Sequence, residues 1–433
     1  MKNLLTALLL LFFACQEPEQ KPGLVKKNHS SQNSDTVAHV KVTDTSNQVR
    51  FNFEKLNTEF HREKIILSAG TDSFYLSLPV GYHIKVSNEG FRRLRFMAKS
   101  PDNRLFVTDM FDKSDNKKGT VLVLDQWDED KKQFQKTDTF LSCLHNPNQV
   151  CFYGGYIYVA ETHQLRRFKY QSGDVQAGDS GEVVMKFPDY GLGYKYGGWH
   201  LTRSISFHND KLYVSVGSSC NACIEKEEIR ATVIEADPDG ANQMYFARGL
   251  RNTVGLKWIG NQLWGTGMGR DLIGPDRPED VFQHIEKDKY YGWPYYYQYK
   301  NKIYADTAFQ DSIRADWVQE PPLALAGFLA HSAPLGFEYF NSFSDPQINE
   351  SVLVCLHGST SVWRQRGNAV VRIETGGYKN FISGFLEGKT ESGRHGRPCD
   401  IMKNNDHSFF LTDDHKGVLY YVWKNDQTPN WRK

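Results

Sequence analysis

The stretch 249–271, GLRNTVGLKWIGNQLWGTGMGRD, decides how the rest of the chain is read. It opens on a polar turn carrying Arg251 and Asn252 and runs into the apolar segment VGLKW. Gly260-Asn261 then makes a two-residue turn into QLWGT, and a glycine-rich loop, GMGRD, follows. Short apolar runs separated by Gly-Asn read as a strand, a tight turn and a second strand. Glycine at a strand end lets backbone amides and carbonyls approach a ligand with no side chain between. A guanidinium and an amide on one loop, with bare backbone on the next, suit an anion or an oxygen-rich cofactor. An ordinary hairpin with no ligand carries the same local pattern.

The strand–turn–strand unit recurs. RFMAKSPDNRLFVTDM (95–110), VCFYGGYIYVAE (150–161), RSISFHNDKLYVSVG (203–217) and VGLKWIGNQLWGTG (254–267) are successive copies. PLGFEYF (334–340) with VLVCLHG (352–358) makes a longer fifth, and RPCDIMKNNDHSFFLTDDHKGVLYYVW (397–423) a sixth. Turn centres lie roughly 50 to 55 residues apart, except for one gap of about 90. Short strands at such a period mark a propeller, whose sheets stack radially because none can bury both its faces alone. The expected fold is all-β, a six-bladed β-propeller with a loop-rich insertion (271–330) between the fourth and fifth repeats. A sandwich with long loops is the alternative, but it has no reason to keep a period. No helix of convincing length is expected, and residues 53–67 and 223–230 are the two places with room for a short one.

Residues 1–15, MKNLLTALLLLFFAC, have a basic start, an apolar run and a small residue before Cys15, the pattern of a targeting segment. The run is too short for a membrane helix. Ala14-Cys15 resembles the end of a bacterial lipoprotein signal, although Phe12 stands where Leu is commoner; a plain secretory signal is the alternative. Residues 16–50 are polar, cannot bury a core and read as a flexible tether, which leaves 51–433 as the folded body. The expectation is an exported protein, lipid-anchored to the bacterial cell envelope through Cys15. A formal net charge of +1 argues against nucleic acid as a partner. Six further cysteines, Cys143, Cys151, Cys220, Cys223, Cys355 and Cys399, form an even set compatible with pairing in an oxidising compartment. Cys220 and Cys223 make a CxxC without the histidine that c-type haem requires and without a second ligand pair for zinc. A local disulfide or two buried thiols fits them.

The motifs GGWHLTRSISFHNDKLYVSVGSSCNAC, GLRNTVGL, GRDLIGPDRPED, YYGWP, HSAPLGF and GRPCDI resemble, in this order, those of the soluble sugar dehydrogenases that use pyrroloquinoline quinone (PQQ). The similarity is to the glucose and sorbosone dehydrogenase-like six-bladed propellers and spans roughly residues 74–424. It implies that His200 removes the hydroxyl proton of a sugar substrate while hydride passes to the quinone. It implies that Arg251 takes part in catalysis and, with Asn252 and Arg397, binds the cofactor. It further implies a calcium ion held by the backbone carbonyls of Gly269 and Arg270, with Asp271, Asp276, Glu279 and Asp280 as acidic surroundings. Electrons would pass to an external acceptor such as a cytochrome, since the chain has no haem motif.

Three departures from the family pattern stand out. Val281 replaces a carboxylate that serves a structural calcium in some relatives, and CLHGSTS (355–361) lacks a cofactor-binding lysine, where His357 fills part of the space. Cys399 stands where a second arginine is expected beside Arg397. Two other functions share these residues: a non-catalytic carbohydrate-binding or adhesion propeller, and a calcium-dependent lactonase-like hydrolase. The run YYGWPYYYQYK offers aromatic faces for a sugar ring or, equally, for packing between blades.

Overall fold

Alternating burial along the short apolar runs does produce strands, and the strands build six antiparallel sheets. The computed structural model describes residues 49–68, 73–189, 200–312 and 318–425. The signal segment, Cys15 and nearly all of the tether lie outside the described residues, as do Gly197, Gly198 and Trp199 of the GGWH motif.

Each blade runs from its innermost strand outward. Blade 1 comprises Leu94–Lys99, Leu105–Asp109, Gly119–Asp128 and Gln133–Leu144; blade 2 comprises Gln149–Tyr153, Tyr156–Ala160, Gln164–Lys169 and Glu182–Lys186. Blade 3 comprises Arg203–His208, Lys211–Val216, Thr232–Ala236 and Met244–Arg248, with Lys289–Tyr290 added in parallel at its edge. Blade 4 is Leu256–Ile259, Gln262–Gly267, Asp280–Ile285 and Ala326–Phe328, and blade 5 is Pro334–Tyr339, Val352–Leu356, Ala369–Glu374 and Gly377–Ile382. Blade 6 takes Pro398–Lys403, Ser408–Asp413 and Val418–Lys424 from the C-terminal part and Tyr82–Glu89 from the N-terminal part. The ring is thus closed by main-chain hydrogen bonds between its two ends. Neighbouring blades pack apolar faces together; one such cluster joins blades 5 and 6 through Leu353, Val370, Phe381, Ile401, Phe409 and Tyr420.

A polar clasp repeats near the axis. Thr108 Oγ1 accepts the Phe96 amide of its own inner strand and donates to the Asn148 carbonyl at the start of blade 2. Thr266 does the same between Gly255 and Leu335, and Thr412 between Asp400 and Arg95. Ser215 donates to the Thr253 carbonyl at the entrance to blade 4. A hydroxyl with one donor and spare acceptor capacity can serve both blades at once, which a valine of the same shape cannot.

The first five repeats each become the two inner strands of one blade, and the sixth, 397–423, supplies three strands of blade 6. The insertion falls where expected, and it lies within blade 4, between that blade's third and fourth strands. It places Lys289–Tyr290 on blade 3 and folds a hairpin, Tyr296–Tyr299 with Lys302–Ala305. Neither short helix is present. Within 53–67, Phe60–Ile66 is a strand paired with Ser73–Pro79, because Phe74, Leu76 and Leu78 alternate inward and bury against Ile65. Residues 223–230 form turns, drawn back by Glu225, whose carboxylate accepts the Ser219 amide and hydroxyl at 2.7 and 2.6 Å.

Cys220 and Cys223 form a disulfide, as the first of the two readings held. The pairing expected of the even set does not extend to Cys151, Cys355 and Cys399, which are free thiols; the last two are fully buried on strands of neighbouring blades.

Candidate active site

Loops at one end of blades 1, 3, 4, 5 and 6 enclose a cavity of about 430 Å³ around the axis. The size is that of small-molecule sites in general. His200, Arg251, Asn252, Gly269 and Arg397 all line it, so five residues singled out on four motifs meet in one place.

His200 sits just before blade 3 with a positive φ of 53°, which turns its ring toward the axis. Gly217 makes room for it: a Cβ there would stand 2.6 Å from His200 Cβ and 2.8 Å from Asn252 Oδ1. His200 Nδ1 lies 3.0 Å from the Ser218 carbonyl and 2.9 Å from Ser218 Oγ. Ser218 Oγ spends its own proton on the Cys220 carbonyl at 2.7 Å, so both oxygens facing Nδ1 are acceptors. The proton is therefore on Nδ1 and the lone pair on Nε2. Burial, and then the Arg251 charge, hold the imidazole well below its ordinary pKa, which keeps it neutral at pH 7.

Arg251 is 7% exposed. Its Nε donates to the Asn221 carbonyl at 2.8 Å and Nη2 to Asn221 Oδ1 at 3.0 Å. Arg397 is buried too, donating from Nε to the His357 carbonyl at 3.0 Å and from Nη2 to the Gly358 carbonyl at 2.5 Å. Neither guanidinium has a carboxylate partner among the described residues, and burial pushes each down to about 10. Both remain cations at pH 7, held by neutral carbonyls and facing the cavity. A buried cation lacking a counter-ion is costly unless an anion completes it.

Blade 1 supplies further cations: Arg93, Arg95 and Lys113 line the same cavity. Arg93 Nη2 and Arg95 Nη1 share Asp414 Oδ2 at 2.6 Å each, and His357 Nε2 meets Asp414 Oδ1 at 2.6 Å. Burial opposes the charge on Asp414, yet His357, Arg93 and Arg95 together hold it well below the carboxylate range. Five cationic side chains (Arg93, Arg95, Lys113, Arg251, Arg397) line the cavity, against two carboxylates, Asp271 and Asp280. Asp271 is engaged by His331 Nδ1 at 2.9 Å. With Asp414 pairing Arg93 and Arg95, cations still outnumber carboxylates around the cavity.

The GMGRD loop, where a calcium ion was expected, borders the same cavity. Gly269 lines the cavity, and its amide donates to Asp280 Oδ1 at 2.8 Å. The Arg270 side chain turns away to form a two-pronged ion pair with Asp306 at 2.5 and 2.9 Å, which ties the insertion to this loop. Of the four expected acids, Asp276 pairs with Arg366 at the surface and Glu279 holds the hairpin through Gln298 and Lys300. Asp280 is buried with no ion-pair partner among the described residues and is pushed up to about 6 by burial. Backbone carbonyls beside such an acid are an oxygen-only donor set of the kind calcium takes. Of the insertion's aromatics, Tyr290, Trp293 and Tyr295 are buried, with Trp293 Nε1 donating to the Asn221 carbonyl at 3.2 Å, while the half-buried Tyr291, Tyr296 and Tyr297 line an adjoining cavity with Arg251 and Gly269.

The sequence reading missed Arg93, Arg95, Lys113, His331 and Asp414. RRLR (92–95) and TDDH (412–415) sit at the ends of strands and carry charge where apolar residues are usual, which is the signal available for them.

No protein-family model matches the chain. It is 30% identical over 237 residues to an uncharacterised protein of Borreliella burgdorferi, a match covering 50% of this chain and 58% of that relative, so it spans little more than half of the relative's length. Among solved structures, the calcium structure of a carbohydrate-active enzyme of family AA12 from Trichoderma reesei superposes with a TM-score of 0.66 at 15% identity, covering 80% of this chain and 96% of that one. The holo PQQ domain of pyranose dehydrogenase from Coprinopsis cinerea gives a TM-score of 0.65 at 14% identity, covering 81% and 97%. At such identities the likeness concerns the fold, and the chain has the six-bladed propeller architecture on which PQQ-dependent sugar dehydrogenases are built.

Proposed function

We propose that the protein is a PQQ-dependent dehydrogenase that oxidises a sugar hydroxyl at the cell envelope. The observation that carries this reading is the pair of buried guanidiniums without counter-ions, Arg251 and Arg397, facing a neutral imidazole in one cavity. PQQ is a planar tricarboxylate, and Arg251, Asn252, Arg397 and the blade 1 cations would hold its carboxylates and carbonyl oxygens. When bound, it supplies the hydride acceptor. The carbonyls of Gly269 and Arg270 would hold a calcium ion, which supplies Lewis acidity.

The chain's own residues do the rest. His200 Nε2 accepts the substrate hydroxyl proton, and the Ser218 carbonyl, which receives the Nδ1 hydrogen bond, stabilises the imidazolium that forms. In the free protein burial, and after it the Arg251 charge, suppress this basicity. A bound polyanion would offset only the Arg251 part. In this reading the N-terminal segment anchors the protein by a lipid on Cys15, and an external carrier such as a cytochrome removes the electrons.

Calorimetric titration of PQQ into the calcium-supplemented protein tests the proposal. Micromolar or tighter binding is expected, weakened at least about tenfold in Arg251→Ala, as for loss of a buried charge partner. A dye-linked screen of aldoses is expected to show turnover that His200→Ala abolishes with PQQ binding retained. Absence of PQQ binding overturns the reading and leaves carbohydrate binding without turnover, checked on glycan arrays.

A further inference from the structure

Four titratable side chains meet at the seam between blades 1 and 2, in a cluster separate from Arg251 and Arg397. His145 follows the outer strand of blade 1, and Asp115 lies on that blade's second loop. His163 lies in the turn between the second and third strands of blade 2, and Asp189 follows that blade's last strand. His145 is 4% exposed. Its Nε2 bonds the Asp115 carboxylate, while its Nδ1 faces His163 Nδ1 at 3.0 Å and an Asp189 carboxylate oxygen at 3.7 Å. Because Asp115 accepts, the proton of a neutral His145 is on Nε2 and its Nδ1 lone pair points into the cluster. An imidazole steadied by a carboxylate on one nitrogen, with the other turned toward further donors, is the arrangement that metal-binding histidines take. The donor atoms of His145, His163 and Asp189 all lie within 4.8 Å of one another.

Two other such groups exist among the described residues, and each has a different explanation. In the first, His61 and His83 both bond the same Glu63 oxygen, at 3.2 and 2.5 Å, which accounts for their approach. In the second, the sulfurs of Cys220 and Cys223 are joined to each other. Two imidazole nitrogens with one carboxylate suit a first-row divalent ion of borderline softness and not calcium or magnesium, which take oxygen.

We infer that His145, His163 and Asp189 bind one divalent transition-metal ion of the zinc type, with Asp115 orienting His145 and a further position open to water. Such an ion clamps blade 1 to blade 2 beside the base. The Thr162 amide donates to the His145 carbonyl, and its hydroxyl donates to the carbonyl of Leu201, the neighbour of His200. This site is independent of the quinone reading and stands or falls without it.

The test is titration of the metal-stripped full chain with cobalt(II), in excess calcium, followed by visible absorption and calorimetry. One equivalent is expected, with the ligand-field bands of a low-coordinate nitrogen–oxygen site. His163→Gln is expected to abolish it, Asp189→Asn to weaken it more than about tenfold, and His83→Gln to leave it unchanged. His163 and Asp189 are less buried than His145, and an unchanged metal-free melting temperature shows that these variants fold. No uptake of cobalt or zinc, uptake that survives both His163→Gln and Asp189→Asn, or uptake lost in His83→Gln overturns the inference.

Discussion

Asp414 has no exposure at its side chain and carries two guanidiniums and an imidazole on its two oxygens. Removing one partner of a buried ion pair costs far more than the pair contributes, because the remaining charge is left uncompensated. Asp414→Asn is therefore expected to destabilise the fold by about 3–5 kcal/mol, read from urea unfolding. Its folded pKa is depressed, so its contribution is complete above the ordinary carboxylate range and is lost only as pH falls through the folded value, well below 3.8. His200 behaves in the opposite sense. Its folded pKa lies below 6.5, so the unfolded chain binds its proton more tightly and this group lowers stability as pH drops below 6.5. Its ring resonances in NMR are expected to titrate below 6.5 in the free protein and higher in Arg251→Ala, which removes the second cause of the shift and leaves burial, the first, in place. A midpoint that does not move in this variant shows that the Arg251 charge does not act on the base.

The inner strands carry a second lesson, in the hydroxyls that join blades. VTD (107–109), GTG (265–267) and LTD (411–413) place the same threonine at the same point of three repeats. In each, one oxygen serves its own blade's amide and the next blade's carbonyl. Thr412→Val keeps the shape and strands both the Asp400 amide and the Arg95 carbonyl, at a cost of about 1–3 kcal/mol. Thr390→Val, on an exposed turn, is the control and is expected to fall within about 0.5 kcal/mol of the wild type. The strands themselves were legible from alternation and turn residues, both local properties. The short helices for which 53–67 and 223–230 have room failed for a non-local reason: Ile65 finds its partners on Ser73–Pro79, and Glu225 folds back on Ser219.

At the scale of the molecule, closure of the ring is the defining event. Tyr82–Glu89 completes blade 6 with strands more than three hundred residues later in the chain. A chain lacking residues 1–90 leaves Val418–Lys424 as an open edge, and is expected to lose cooperative thermal unfolding and to aggregate. A chain lacking only residues 1–48 keeps every strand of the propeller and is expected to unfold in a single transition in calorimetry.

The number of blades and the place of the insertion were determined by the sequence alone, because strand period and turn chemistry repeat within short windows; the loops bearing His200, Arg251, Asn252 and Arg397 were marked by motif resemblance. Only the tertiary structure decided the character of the site. Arg95 reaches Asp414 across 319 residues of chain, and the blade 1 cations Arg93, Arg95 and Lys113 share a cavity with Arg251 and Arg397 from the loops entering blades 4 and 6. The seam that brings His145 to His163 and Asp189 exists because blades 1 and 2 are neighbours. No spacing in the sequence encodes these meetings, since each depends on which blades the closed ring sets side by side.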